Sequence, residues 1–214
     1  MPKLLFFLSA LLMFQLLSAQ KLLSEFTAHY QLSYKKNNAE QLKSDWYVAV
    51  KGSLSRVDLI SKTGTEPTVI DGKTGSGRIF KEYSGQKLLI NLKSEDWKSM
   101  NENYNNTAFE VVATGVNYNG YKCDKAIGKT SKLQNVEVWY LPDLMPVNKD
   151  YNMAFKQIKG LPIKTIVTAI KDDNSMEIIY EMPNLNTDLV PINTFEPHIT
   201  GFRVLSYEEM NKNK

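Results

Sequence analysis

The chain has 214 residues, 43% of them hydrophobic, with 26 Lys+Arg against 23 Asp+Glu and a formal net charge of +3. That length suits one domain, able to bury about 70% of the surface its unfolded form exposes, so no covalent staple is needed. A single cysteine excludes an internal disulfide, and lysines scattered along the chain exclude the clustered basic face that nucleic acid demands.

In chain order, the N-terminus reads as a leader. Met1-Pro2-Lys3 is a short basic start, Leu4 to Leu17 is nearly unbroken hydrocarbon, and Leu17-Ser18-Ala19 offers a small-residue cleavage site before Gln20. This is the layout of a secretory signal peptide. An apolar run of about 14 residues is too short to span a bilayer, and no later stretch is long and apolar enough to do so. No Cys follows the cleavage site, so a bacterial lipoprotein anchor is not expected. The expectation is a signal peptide over 1–19 and one periplasmic or secreted domain over 20–214, with no transmembrane segment after cleavage.

From Phe26 the period is two. Phe26, Ala28, Tyr30, Leu32 and Tyr34 alternate with polar neighbours, which predicts a half-buried strand. Lys36 to Glu40 turns the chain. Trp46, Val48 and Val50 continue the apolar face, Val57 and Leu59 mark a third strand, and Thr68 to Ile70 a short fourth. Arg78 to Tyr83 and Lys87 to Leu92 flank Ser84-Gly85-Gln86 as a hairpin. Ser94 is the expected cap of a helix opening with Glu95-Asp96, whose carboxylates complement the positive end of the helix dipole. Trp97, Met100 and Tyr104 give that helix one apolar stripe, and the following Asn residues should fray it.

Strands resume at Phe109 to Val116, and Asn119-Gly120 is the strongest hairpin signal in the chain. Tyr121 to Ile127 and Val136 to Leu141 are further strands. Tyr151, Ala154, Phe155 and Ile158 fall on one face of a second short helix expected from Asn148 to Ile158. Leu161 to Lys171 and Met176 to Met182 form the last clear hairpin. Residues 183–214 should be partly irregular, with an edge strand at Gly201 to Val204 and a mobile polar tail from Met210. Ten or eleven strands without strand–helix–strand alternation exclude a parallel α/β sheet. The expected fold class is mainly β (α+β), one long curved antiparallel sheet forming an open half-barrel. Two short helices should cover its concave face.

Catalysis is hard to place. His29 sits on the polar face of the first strand and His198 follows Pro197; neither has a metal-ligating partner two or four residues away. Cys123 alternates within a strand and reads as a small buried apolar residue. Gly72-Lys73-Thr74 resembles the end of a phosphate loop, but the position five residues before Gly72 is Pro67 and no helix follows, so a turn is expected. Gly75-Ser76-Gly77 lacks the spacing of a nucleophile elbow. Glu95-Asp96 is a helix start, Asp172-Asp173 a turn, and Glu208-Glu209 lies near the C-terminus. Asn105-Asn106-Thr107 fits an N-glycosylation pattern that would be idle in an exported bacterial protein. No catalytic residue, metal site or cofactor is expected.

What remains is apolar and aromatic. Phe26, Tyr30, Tyr34 and Trp46 fall on the apolar faces of two neighbouring strands, and Trp97, Met100, Tyr151, Phe155 and Ile158 supply the helix stripes. Together they form either a packed core or the lining of a cavity for an apolar ligand. A leader ending in Ala19-Gln20 is followed by a long meander with a helix. Then, in order, come Gly120-Tyr121-Lys122-Cys123-Asp124-Lys125, Val138-Trp139-Tyr140, Gly160-Leu161-Pro162-Ile163, and Phe202 after Gly201. This order resembles exported Bacteroidota proteins related to the LolA/LolB-like lipoprotein carriers. The resemblance implies an unclosed antiparallel half-barrel wrapped over helices, whose apolar interior holds lipoprotein acyl chains in true carriers. Two departures stand out. Carriers begin with a helix after the signal peptide, whereas Phe26 to Lys35 reads as strand. The carriers' cavity arginine has only Arg56 and Arg78 as candidates. A second exported family carries Gly-Leu-Pro-Gly-Leu-Ile after a Trp-Tyr strand; Gly160-Leu161-Pro162 matches it and Ile163-Lys164 breaks it.

The expected function is that of a non-catalytic binding or carrier protein for an apolar ligand, a lipid or lipoprotein acyl chain. The alternative is an envelope scaffold or protein-interaction module with a filled core, meeting an envelope protein through sheet edges or the C-terminal tail. A hydrolase would need a site the sequence does not display.

Overall fold

The structure, a computed structural model, describes residues 20–37, 39–83, 85–104, 107–132, 134–151, 156–171 and 174–212. The leader over 1–19, Phe155, Asn105-Asn106 and the Asp172-Asp173 turn lie outside the described residues. The strands are β1 (Lys21–Leu23), β2 (Glu25–Lys36), β3 (Ala39–Lys51), β4 (Leu54–Ser61), β5 (Gly64–Asp71), β6 (Ser76–Tyr83) and β7 (Gln86–Leu92). They continue with β8 (Ala108–Tyr118), β9 (Tyr121–Lys129), β10 (Asn135–Leu141), β11 (Leu144–Pro146), β12 (Leu161–Lys171), β13 (Asn174–Asn186) and β14 (Arg203–Ser206). The two α-helices among the described residues are α1 (Ser94–Met100) and α2 (Tyr207–Lys212).

Twelve of the strands form one open sheet in the order β14-β7-β6-β5-β4-β3-β2-β13-β12-β10-β9-β8. Its pairs are antiparallel except β14 with β7; β1 and β11 form a separate parallel pair. Two meanders, β2 to β7 and β8 to β13, meet where β13 pairs β2. The half-barrel expectation and the strand at Phe26 to Lys35 are thus met. The Asn119-Gly120 turn is also as expected: both residues have positive φ, 49° and 82°, and Tyr118 pairs Tyr121.

Register gives the sheet two distinct faces. Phe26 faces Val50, Ala28 faces Val48 and Tyr30 faces Trp46 across β2 and β3. Val50 then faces Ser55, and Ser55 faces Ile70. This inner face carries the main core, which Phe26 and Val50 enter fully buried. The outer face holds the alternating partners: His29 opposite Tyr47, and Thr27 opposite Ala49.

Two segments cross the inner face. β7 and β8 stand near opposite ends of the sheet, so the chain between them must traverse it. It does so through α1 and the 3-10 turn Glu102–Tyr104. Far-end anchors are Ser131 N–H donating to the Asn103 carbonyl at 3.1 Å and the Asn103 amide donating to Gln134 at 2.7 Å. The cap of α1 differs from expectation. Lys93 takes the cap position and its N–H donates to the Asp96 carboxylate at 2.8 Å, because that acid reaches back where the Ser94 hydroxyl does not; Ser94 becomes the first helical residue. The second crossing links β11 to β12. Asn148 donates to the Ser53 carbonyl at 2.7 Å, and the Tyr151 ring meets Phe26 edge-on at 5.6 Å. The helix expected over Asn148 to Ile158 is not continuous here: Asp150 and Tyr151 are 3-10, 152–155 lie outside the described residues, and Lys156-Gln157 is a turn.

The C-terminal third departs most from expectation. β13 does not stop at Met182 but passes Pro183 to Asn186, because its register shifts between Glu181 and Asn184 and the missing N–H of proline falls in that irregularity. A strap over residues 187–202 then crosses the outer face. Val190 and Phe195 are buried against Ala49, and Phe202 meets Phe80 edge-on at 5.6 Å. β14 covers the β7 edge, and α2 turns back to the inner face, where Tyr207 and Met210 join Trp97 on the Ile70, Ile79, Ile90 and Leu92 cluster. The tail expected to be mobile from Met210 is helical to Lys212. No helix among the described residues is long and apolar enough to cross a membrane.

Candidate functional site

The inner face brings together most of the residues that the sequence marked as a ligand cavity, but not on equal terms. Phe26 is 0% exposed, Tyr30 2%, Tyr151 5% and Ile158 2%; Met100 is 40% exposed. Phe26, Tyr30 and Tyr151 are packed core: the rings of Phe26 and Tyr151 touch, and the Tyr30 hydroxyl donates to the Pro162 carbonyl at 2.8 Å. Burial, then the neighbouring Tyr151, raises the Tyr30 pKa far above its ordinary value, and burial does the same to Tyr151. Both phenols stay neutral at any physiological pH. Ile158 belongs instead to a cluster with Val136, Val138 and Val167, further along the sheet. Met100, the last residue of the seven-residue α1, is left exposed, while Trp97 packs on the Ile70 cluster.

The half-buried part of the inner face lies toward the other end of β2 and β3. Trp46 packs between Tyr30 at 5.5 Å and Tyr180 at 5.4 Å, with Leu32 and Tyr34 beside it. The Tyr34 hydroxyl donates to the Met176 sulfur at 3.0 Å. Leu59, which faces Trp46, is 36% exposed. Burial, then Tyr104, pushes the Tyr180 hydroxyl well above its usual range. The result is a strip of aromatic and aliphatic groups with water on one side and the packed core on the other.

Three buried polar atoms have no hydrogen-bond partner among the described residues: the Ser55 hydroxyl, the Thr107 hydroxyl and the Trp97 indole N–H. Ser55 and Trp97 both touch the Ile70 region of the inner face. An orphaned buried group costs roughly 1–3 kcal/mol, so each one marks a place where a water or a ligand's polar end would be favoured.

Other candidates resolve differently. Arg56 and Arg78 are not cavity residues: both occupy the outer face, where Arg56 stands opposite Ala49 and Val69, and Arg78 opposite Val69. Cys123 is fully buried and its thiol donates to the Val116 carbonyl at 3.2 Å. Burial, with Asp124 nearby, raises its pKa, the opposite of what a nucleophile requires. Gly72-Lys73-Thr74 is a turn in which Lys73 N–H donates to the Asp71 carboxylate at 2.9 Å. Among the described residues no group of three His, Cys, Asp or Glu could hold a metal ion.

Sequence reasoning missed two outer-face arrangements. One is a ladder in which Lys164 sits 4.9 Å over Tyr118 and pairs with Glu181 at 2.9 Å, while Tyr118 donates to Glu181 at 2.6 Å and Lys125 lies 4.5 Å over Trp139. The Tyr118 and Lys164 hydrogen bonds hold Glu181 below the usual carboxylate range. The other is a stacked His29–Tyr47 pair, with His29 Nε2 at 2.7 Å from Asp45. The available signal was the polar set of the β2–β3 hairpin, whose members become neighbours only once register is fixed.

No known family matches the sequence, and no curated protein resembles it in sequence. Among solved structures the fold is similar to PNGF-II in its C2 crystal form, at 11% identity and a TM-score of 0.49, over 88% of this chain and 32% of that one. This chain therefore spans about a third of the length of PNGF-II. It is similar to a LolA superfamily protein, NE2245 from Nitrosomonas europaea, at 10% identity and a TM-score of 0.35, over 81% of this chain and 90% of that one. It is also similar to an uncharacterized conserved protein from Thermus thermophilus, at 10% identity and a TM-score of 0.55, over 86% and 91% of the two chains. The Thermus protein and this chain share one architecture, an open antiparallel sheet.

Proposed function

We propose that this chain is an exported, non-catalytic carrier or binding protein for an apolar ligand, a lipid or an acyl chain, taken up on the inner face. The observation that carries the reading is the half-buried strip of Leu32, Tyr34, Trp46 and Tyr180, continued by the exposed Leu59. Such a strip removes further apolar surface from water when a hydrocarbon chain is laid along it, at about 25 cal/mol per Å². The leader-like first residues and the carrier-like sequence order support the same reading. A second reading, a scaffold with a filled core, is favoured by the close packing of Phe26, Tyr30 and Tyr151.

Titration of delipidated protein with a fluorescent fatty acid separates the two. Saturable uptake, weakened about tenfold by Trp46→Ala, is the expected result. No uptake at all refutes the carrier and leaves the scaffold.

A further inference from the structure

The outer face holds a cleft of about 760 Å³ between β2, β3, β4 and the strap, well within the size range of small-molecule sites. It is lined by the His29–Tyr47 stack, with ring centroids 4.3 Å apart and planes 4° from parallel, so that each ring covers one face of the other. Asp45 holds the imidazole from one edge at 2.7 Å, and Tyr47 remains 45% exposed. One wall is Arg56, whose Nε and Nη2 donate to the two Asp58 carboxylate oxygens at 2.7 and 2.8 Å and whose Nη1 donates to the Thr194 carbonyl of the strap at 2.8 Å. Both side chains of that pair are little exposed, 23% and 22%. The facing wall carries the amides of Asn184 and Asn186.

This combination selects by chemistry. Arg56 and Asp58 cancel each other, so the walls present no net charge to draw in an ion. A phosphate would find the Arg56 guanidinium already bound to Asp58 and Thr194, and a hydrocarbon would strip water from amide, guanidinium and carboxylate groups without replacing their hydrogen bonds. A neutral ring rich in hydroxyls fits both halves. Its C–H face packs against the half-exposed Tyr47 ring on the side that His29 leaves uncovered, and its hydroxyls meet planar donors and acceptors already held in place, which lowers the ordering cost of binding. We propose that this cleft is a saccharide-binding site, separate from the inner face and independent of what that face carries.

The test is saturation-transfer NMR and calorimetric titration of the full chain with chitotriose, maltotriose and cellotriose. Binding of at least one is expected. Tyr47→Ala should weaken it about tenfold or more, whereas Tyr47→Phe, which keeps the ring, should stay within about twofold. Asn184→Ala, an exposed change on the far wall that leaves the sheet core untouched, should also weaken it. Fatty-acid uptake should be unchanged in all three variants. Absence of transfer from every probe at millimolar concentration, or unaltered affinity in both Tyr47→Ala and Asn184→Ala, overturns the proposal.

Discussion

Tyr30 illustrates how one residue ties the molecule together. Its ring closes the aromatic run from Phe26 to Trp46, and its hydroxyl holds Pro162 of β12 across the interior. Phe26→Ala should destabilise the fold by about 3–5 kcal/mol by opening a cavity that a stiff sheet cannot collapse. Tyr30→Phe should cost about 1–3 kcal/mol by orphaning one carbonyl. Chemical denaturation of both variants checks the order. Glu181 provides a pH prediction. Its folded pKa is depressed, first by the Tyr118 hydrogen bond and then by Lys164. The stabilisation is therefore present above the ordinary carboxylate value, about 4.3, and is lost as pH falls through the lower folded value. Glu181→Gln should flatten this part of the acid limb in a circular-dichroism pH titration, and an unchanged limb would show that the ladder contributes nothing.

Among the elements, the β8–β9 hairpin and the C-terminal tail make opposite demands on the sequence. The hairpin is locally coded: Gly120 at φ 82° allows the tight turn, and Gly120→Ala should cost about 1 kcal/mol and speed amide exchange in β8 and β9 before other strands. The tail is coded by what it covers. Truncation after Phe202 removes β14 from the β7 edge and uncovers the Ile70–Ile79–Ile90 cluster. The truncated chain should associate through that edge, seen as a rise in light scattering with concentration. Sequence periodicity found β2 through β10 because each strand alternates over its own length. It misplaced the end of β13 because Pro183 looks like a breaker, and only a register shift makes it harmless. It missed α2 because six residues carry too little periodicity to distinguish a helix from a polar tail.

At the scale of the whole molecule, three crossings decide how the two faces are used. Residues 93–104, with 147–151 and 156–160, lie along the inner face, and the strap over 187–202 covers the outer one. If the inner strip takes up acyl chains, adding a fatty acid should protect β2, β3 and β13 from hydrogen exchange and leave the outer-face strap unaffected. The amino-acid sequence alone determined the fold class, the shared face of Phe26, Tyr30, Tyr34 and Trp46, and the burial of Cys123. Each of these follows from a two-residue period or a turn dipeptide, and such patterns are local. It could not assign the cavity residues their separate fates. Phe26 and Tyr151 meet only because a crossing segment brings residues far apart in the chain together, and Met100, at the end of α1, is left outside that packing. Nor could it find the outer cleft: His29 and Tyr47 join across one hairpin, Asn184 arrives from β13, and Thr194 arrives on the strap. Tertiary structure alone decided those encounters, because a strand's own alternation says which face a side chain takes but not which distant segment will lie over that face.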